Sequence, residues 1–176
     1  MRSDLLLIGG VTLLATATAT ATTKMSSDYT SLKEEDCRTL NTDQDIYQAD
    51  CPSKHNYLLQ AVGRDLRLGV NLIYNHHKVS YQPLPSFRVG ETVEWRYEKV
   101  GNLKKYHALI YRIYTAQIDP LDGDAFYLSR EQDKQQLVVI RLNKEKSCLL
   151  GVIEPSKNMN REARKLADNK LAECIK

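Results

Sequence analysis

Four cysteines behind an apolar leader, Cys37, Cys51, Cys148 and Cys174, constrain this chain more than any other feature. An even cysteine count in an exported chain reads as cystine, because oxidising compartments preserve disulfides and the cytosol does not. Four cysteines allow three pairings, and proximity in sequence favours Cys37–Cys51 and Cys148–Cys174. Loops of these sizes are worth about 3 and about 3.5 kcal/mol in chain-entropy terms. The alternative, a zinc site, lacks the usual CxxC or CxxH spacing.

The leader is read from residues 1–21. Arg2 gives a short positive start, partly offset by Asp4, and Leu5 to Leu14 is an apolar run of h-region length. Such a run is too short for a bilayer, which takes about 20 apolar residues. The alternating tract Ala15 to Ala21 supplies the small residues a signal peptidase accepts, and cleavage is expected after Ala21. An uncleaved apolar anchor is the alternative. The reading is therefore a signal peptide over 1–21, a disordered polar N-terminus over 22–28, and one globular domain over 29–176. No later stretch is apolar enough to span a membrane, and the expected location is periplasmic or secreted.

The net charge is +3, with Lys and Arg interleaved with Asp and Glu along the chain. That argues against a nucleic-acid or polyanion partner. Ten Tyr against two Phe suit a half-buried sheet, where a ring packs and its hydroxyl reaches water.

Alternating apolar residues predict strands over most of the chain. Tyr29–Leu32 reads as a short edge strand, and Lys33–Asp36 as a charged turn or one helical turn. Arg38–Thr42 and Ile46–Cys51 flank the turn-forming Asp43-Gln44-Asp45. Tyr57–Val62 and Leu66–Tyr74 form a hairpin with Gly63 in its turn; 75–91 reads as irregular. Thr92–Lys99 and Lys105–Ile118 follow, then Gln135–Asn143 and Ser147–Ile153. At the C-terminus the period changes: Met159, Ala163, Leu166, Ala167, Leu171 and Cys174 recur at three and four, with Asn158 or Asn160 as N-cap. The expected fold class is α+β: a mainly antiparallel sheet of about six to eight strands, one C-terminal amphipathic helix packed on it, and two disulfides.

The candidate sites are sparse. His76 and His77 are the metal candidates, although neighbours on an extended strand point apart unless the backbone turns. Exposed loop histidines are the alternative. His55 and His107 have no ligand spacing around them. Asp119, Asp122 and Asp124 group three carboxylates but lack the EF-hand pattern. Trp95, Arg96, Tyr97 and Arg112 could make an aromatic–cationic binding patch. The alternation instead puts Trp95 in the core with Val93, and Glu94 and Arg96 on an exposed face. No GxSxG, SxxK or phosphate-loop motif occurs, and no cofactor is expected.

The ordered landmarks Tyr29-Thr30-Ser31-Leu32, Asp36-Cys37, Cys51-Pro52, Asp65-Leu66-Arg67, Glu91 to Arg96, Leu137 to Leu142, Cys148 and Ala163 to Asp168 leading to Cys174 resemble a family. It is an uncharacterised family of small exported proteins of Gram-negative bacteria, mostly alphaproteobacteria. The resemblance implies a periplasmic or secreted protein and supports two disulfides. It transfers no functional residue, and the longer segment 119–133 departs from its pattern. The expected function is a non-enzymatic envelope protein that binds a protein or cell-wall component, a lysozyme-inhibitor-like binder being one form. The alternatives are a small-molecule or metal-binding module using 75–91, and a hydrolase with dispersed carboxylates.

Overall fold

The computed structural model describes residues 24–43, 46–64, 67–78, 86, 88–115 and 134–175. The expected signal peptide over 1–21 and the group Asp119, Asp122 and Asp124 lie outside them. Among the described residues, strand β1 is Lys24–Ser31, followed by a 3-10 turn at Glu34–Asp36. Strands β2 (Arg38–Asp43), β3 (Ile46–Cys51), β4 (Tyr57–Arg64), β5 (Arg67–Tyr74) and β6 (His77–Lys78) form one antiparallel meander. Strands β7 (Arg88–Val100), β8 (Leu103–Thr115), β9 (Lys134–Arg141) and β10 (Cys148–Ile153) join β1 in a second sheet, ordered β1-β7-β8-β9-β10. Helix α1 is Met159–Asp168.

The antiparallel class, the C-terminal helix and both expected disulfides are present. Among the described residues the strands number ten in two sheets, where about six to eight were expected. The polar residues 24–28, expected to be disordered, are the first half of β1. They pair residue for residue with β7, from Lys24 opposite Lys99 to Asp28 opposite Trp95, and backbone pairing asks nothing of side-chain polarity. The chain 75–91, read as irregular, contains β6 and the start of β7.

One core lies between the sheets. Leu59, Val70 and Leu72 from the meander meet Trp95, Leu109, Tyr111 and Ile140 from the other sheet. A second lies beneath the helix, where Met159, Ala163 and Ala167 cover Ala108, Ile110 and Val139. The sheet holding β8 and β9 is thus buried on both faces. This explains why Leu137–Ile140 and Ala108–Tyr111 are continuously apolar and do not alternate cleanly. Alanines at the helix contact let the helix axis approach the sheet closely.

Gly63 is not a turn residue but lies within β4, opposite Leu68. A Cβ there would stand 2.8 Å from Leu68 Cδ2 and 3.2 Å from Tyr47 Cβ, so a larger residue would need the Leu68 side chain to move and Tyr47 to give way. The helix stops at Asp168, short of the expected Cys174, and Leu171 is 90% exposed. Beyond it the chain must double back for Cys174 to reach Cys148. Asn169 Oδ1 accepts the Leu171 N–H at 3.0 Å, Arg141 Nη2 holds the Asn169 carbonyl, and the Ile175 N–H donates to the Leu149 carbonyl at 2.8 Å.

Candidate functional site

The polar side chains cluster first between helix and sheet. Arg96 is directed at Asp168 in the last helical turn: Nε donates to Oδ1 at 3.0 Å and Nη2 donates to Oδ2. Nη1 donates to Ser27 Oγ at 2.5 Å, and Ser27 in turn donates to Glu94. Arg164 grips Glu94 through Nε at 2.7 Å and Nη2 at 3.2 Å, and its Nη2 also reaches the Tyr29 hydroxyl. His107 Nε2 lies 3.0 Å from Asp168 Oδ1. Burial opposes ionisation of Asp168, but hydrogen bonds from Arg96 and His107 outweigh it and hold its pKa below the ordinary value. Charged and dipolar groups here satisfy one another, which is how an ion network can be tolerated inside a packed interface.

The position of His107 comes from a bulge. Arg96 pairs with Ala108 and Tyr97 with Tyr106, leaving His107 as an extra residue on β8. The bulge shifts the strand's phase by one. Tyr106 turns inward to Trp95, at 6.2 Å between ring centroids, while His107 joins Arg96 on the helix side.

These contacts correct the sequence reading of the aromatic–cationic patch. Trp95 is fully buried against Tyr57 and Tyr106, and its Nε1 donates to Thr30 Oγ1 at 2.8 Å. Arg96 and Glu94, expected on an exposed face, are covered by α1. Tyr97 is buried edge-on to Tyr106 with Lys104 Nζ 4.6 Å from its ring centroid. Arg112 is half-buried, donating to Gln135 Oε1 at 2.9 Å and to Met159 Sδ. Strand alternation sends Trp95 and Tyr97 toward one layer and Arg96 and Arg112 toward the other, so the four share no surface.

His76 and His77 sit at the exposed tip of the β5–β6 hairpin. Asn75 and His76 carry positive φ of 48° and 67°, as a two-residue type I′ turn demands. His55, with φ 53°, occupies a similar turn before β4, its ring 6.0 Å from that of Tyr106. Among the described residues, no group of three or more His, Cys, Asp or Glu could hold a metal ion. The cysteines are all crosslinked.

Sequence reasoning did not single out the cleft at the opposite end of the sandwich, about 440 Å³ in volume. Its apolar floor is formed by Leu32, Tyr47, Ala61, Val62, Leu68 and Val89. Glu34, Glu35 and Glu91 stand on the rim. Among the described lining residues the one cation is Lys33, 3.9 Å from both Glu35 and Glu91. Burial, with Glu34 nearby, raises the Tyr47 pKa, so the hydroxyl stays protonated in the wall. The acidic run Glu34-Glu35-Asp36 was the one sequence signal of this rim, and the turn that presents it is the 3-10 turn. A smaller cleft of about 270 Å³ flanks the helix start, between Tyr29, Arg112 and Asn160. Comparison with protein-family models, curated proteins and solved structures returns no match.

Proposed function

We propose that this chain is an exported, non-enzymatic binding protein of the bacterial envelope, periplasmic or secreted, whose cleft takes a segment of a protein partner. The observation that carries this reading is the open cleft with an apolar floor and a carboxylate rim, whereas the charged cluster between helix and sheet is internally neutralised. An apolar floor favours a hydrophobic side chain, and a rim with more carboxylates than cations favours Lys or Arg beside it. This narrows the expectation of a protein or cell-wall component to a protein. Lysozyme inhibition is one specific form of it.

Both disulfides support an oxidising destination. A hydrolase reading gains nothing from Glu94 and Asp168. Each carboxylate is gripped by a guanidinium, and Asp168 is held ionised, which makes it a poor proton donor.

The test is site-specific photocrosslinking from position 62, on the cleft wall, in the exporting cell. One discrete protein adduct is expected, and it should disappear in the rim variant Glu91→Lys. No adduct, or one indifferent to both Glu91→Lys and Glu34→Lys, removes the cleft as the binding site. Mass spectrometry of the recovered protein checks export: a start at Thr22 is expected, and an intact leader with free thiols overturns it. A lysozyme inhibition assay examines the narrower form.

A further inference from the structure

The β7–β8 hairpin ends in an apolar tip. Val100 and Leu103 face each other across the Gly101–Asn102 turn and are 47% and 72% exposed. Gly101 takes φ +60°, and nothing stands within 4 Å of its would-be side chain. The tip projects on its β9 side: pairing of β8 with β9 ends at Ala108–Arg141, five residues short of Leu103, or roughly 16 Å of strand, while β1 flanks β7 as far as Lys99.

Lysines surround this tip. Lys99 lies directly opposite Lys104 on β8 and opposite Lys24 on β1, making an in-register row across three strands. Lys105 is exposed next to it. Asp28 neutralises Lys104 at 2.7 Å, whereas Lys24 and Lys99 have no side-chain partner among the described residues. Like charges directly opposite each other destabilise a sheet. An exposed apolar pair at a projecting tip adds a second disadvantage in water. The C-terminal tail contributes at the same end, since Lys170 pairs with Glu98 of β7 at 3.1 Å and the adjoining Leu171 is exposed.

We infer that this hairpin tip docks on an anionic lipid surface, with Val100 and Leu103 entering the headgroup–acyl boundary and Lys24, Lys99 and Lys105 lying among the lipid phosphates. One ligand chemistry accounts for both features. Interfacial elements bury a few apolar side chains at shallow depth, and flanking lysines extend their charges to the phosphate level. An acidic polysaccharide would use the lysines alone and leave Leu103 in water. This surface is at the far end of the sandwich from the cleft, and the inference stands whether or not a protein occupies that cleft.

The experiment is cosedimentation of the disulfide-bonded protein with vesicles of phosphatidylcholine alone, or of phosphatidylcholine with equimolar phosphatidylglycerol. Preferential binding to the anionic vesicles is expected, weakening as salt is raised. Lys99→Ala should weaken it about fivefold. Leu103→Ser should weaken it about tenfold or more. Neither exposed substitution should lower the melting temperature, and Lys99→Ala should raise it slightly by relieving the opposed charges. Absence of anionic-vesicle binding, or binding unchanged by Leu103→Ser, overturns the inference. So does binding to an acidic polysaccharide in preference to the vesicles.

Discussion

Asp168 is a carboxylate in the last turn of a helix, where the carbonyl end of the dipole disfavours negative charge. Its presence there is explained by what it touches, Arg96 and His107, and these hold its pKa below the ordinary 3.8. A depressed folded-state pKa gives stability that is complete above the unfolded value and lost as pH falls through the folded one. Asp168→Asn is therefore expected to cost about 2 kcal/mol at neutral pH, because the buried Arg96 loses its two-pronged carboxylate partner and keeps only Glu94, 3.6 Å from Nη1 and already shared with Arg164. It should also flatten the fall in stability below about pH 4. Urea titrations of both proteins at neutral and acid pH check this; a variant that loses stability in parallel with the parent at low pH would contradict it. Tyr111 makes the opposite case. It is 1% exposed, its hydroxyl has no hydrogen-bond partner among the described residues, and burial raises its pKa. Tyr111→Phe should be neutral or stabilising by about 1 kcal/mol in the same assay. Alternation made the burial of Trp95 legible in the sequence. The burial of Arg96 was not, because a charged residue on the second face of a strand reads as solvent-facing until a helix is known to cover it.

At the scale of elements, the strand pattern of β2 to β5 and the helical period of α1 were readable because a strand with one covered face and a helix on a sheet each leave a simple periodicity. Strands β8 and β9 were harder, since both of their faces are covered. The bulge at His107 leaves no distinctive residue type, although it decides which side of β8 meets the helix. Its effect can be isolated. Deleting His107 restores regular pairing with Tyr106 still opposite Tyr97 and facing Trp95, but it removes the extra twist that the bulge gives β8 beneath the helix, and it should destabilise the protein by about 3 kcal/mol or more. His107→Ala keeps the bulge, removes only the contact to Asp168, and should cost about 1 kcal/mol. Equal losses from the two changes, measured by chemical denaturation, would mean that the bulge carries no more than the imidazole does.

Over the whole molecule, topology sorts what the chain interleaves. Lysines that alternate with acids in sequence are brought by β1, β7 and β8 to one end, and the acidic 3-10 turn borders the cleft at the other. Net charge could not indicate this, because it is a sum without position. The same separation applies to the two fastenings of the C-terminus. Arg96 and Arg164 clamp α1 to the sheet, while Cys148–Cys174 ties down the tail beyond it. If the fastenings are independent, replacing both Cys148 and Cys174 by serine should cost at most about 3.5 kcal/mol, the loop-closure value. The tail should loosen first. In hydrogen exchange the Ile175 amide, bonded to the Leu149 carbonyl, should lose protection toward that of a frayed end, while the amides of Ala163 and Ala167 remain protected by their packing on the sheet. Equal loss of protection in helix and tail would show that the crosslink, and not the arginine clamp, keeps α1 in place.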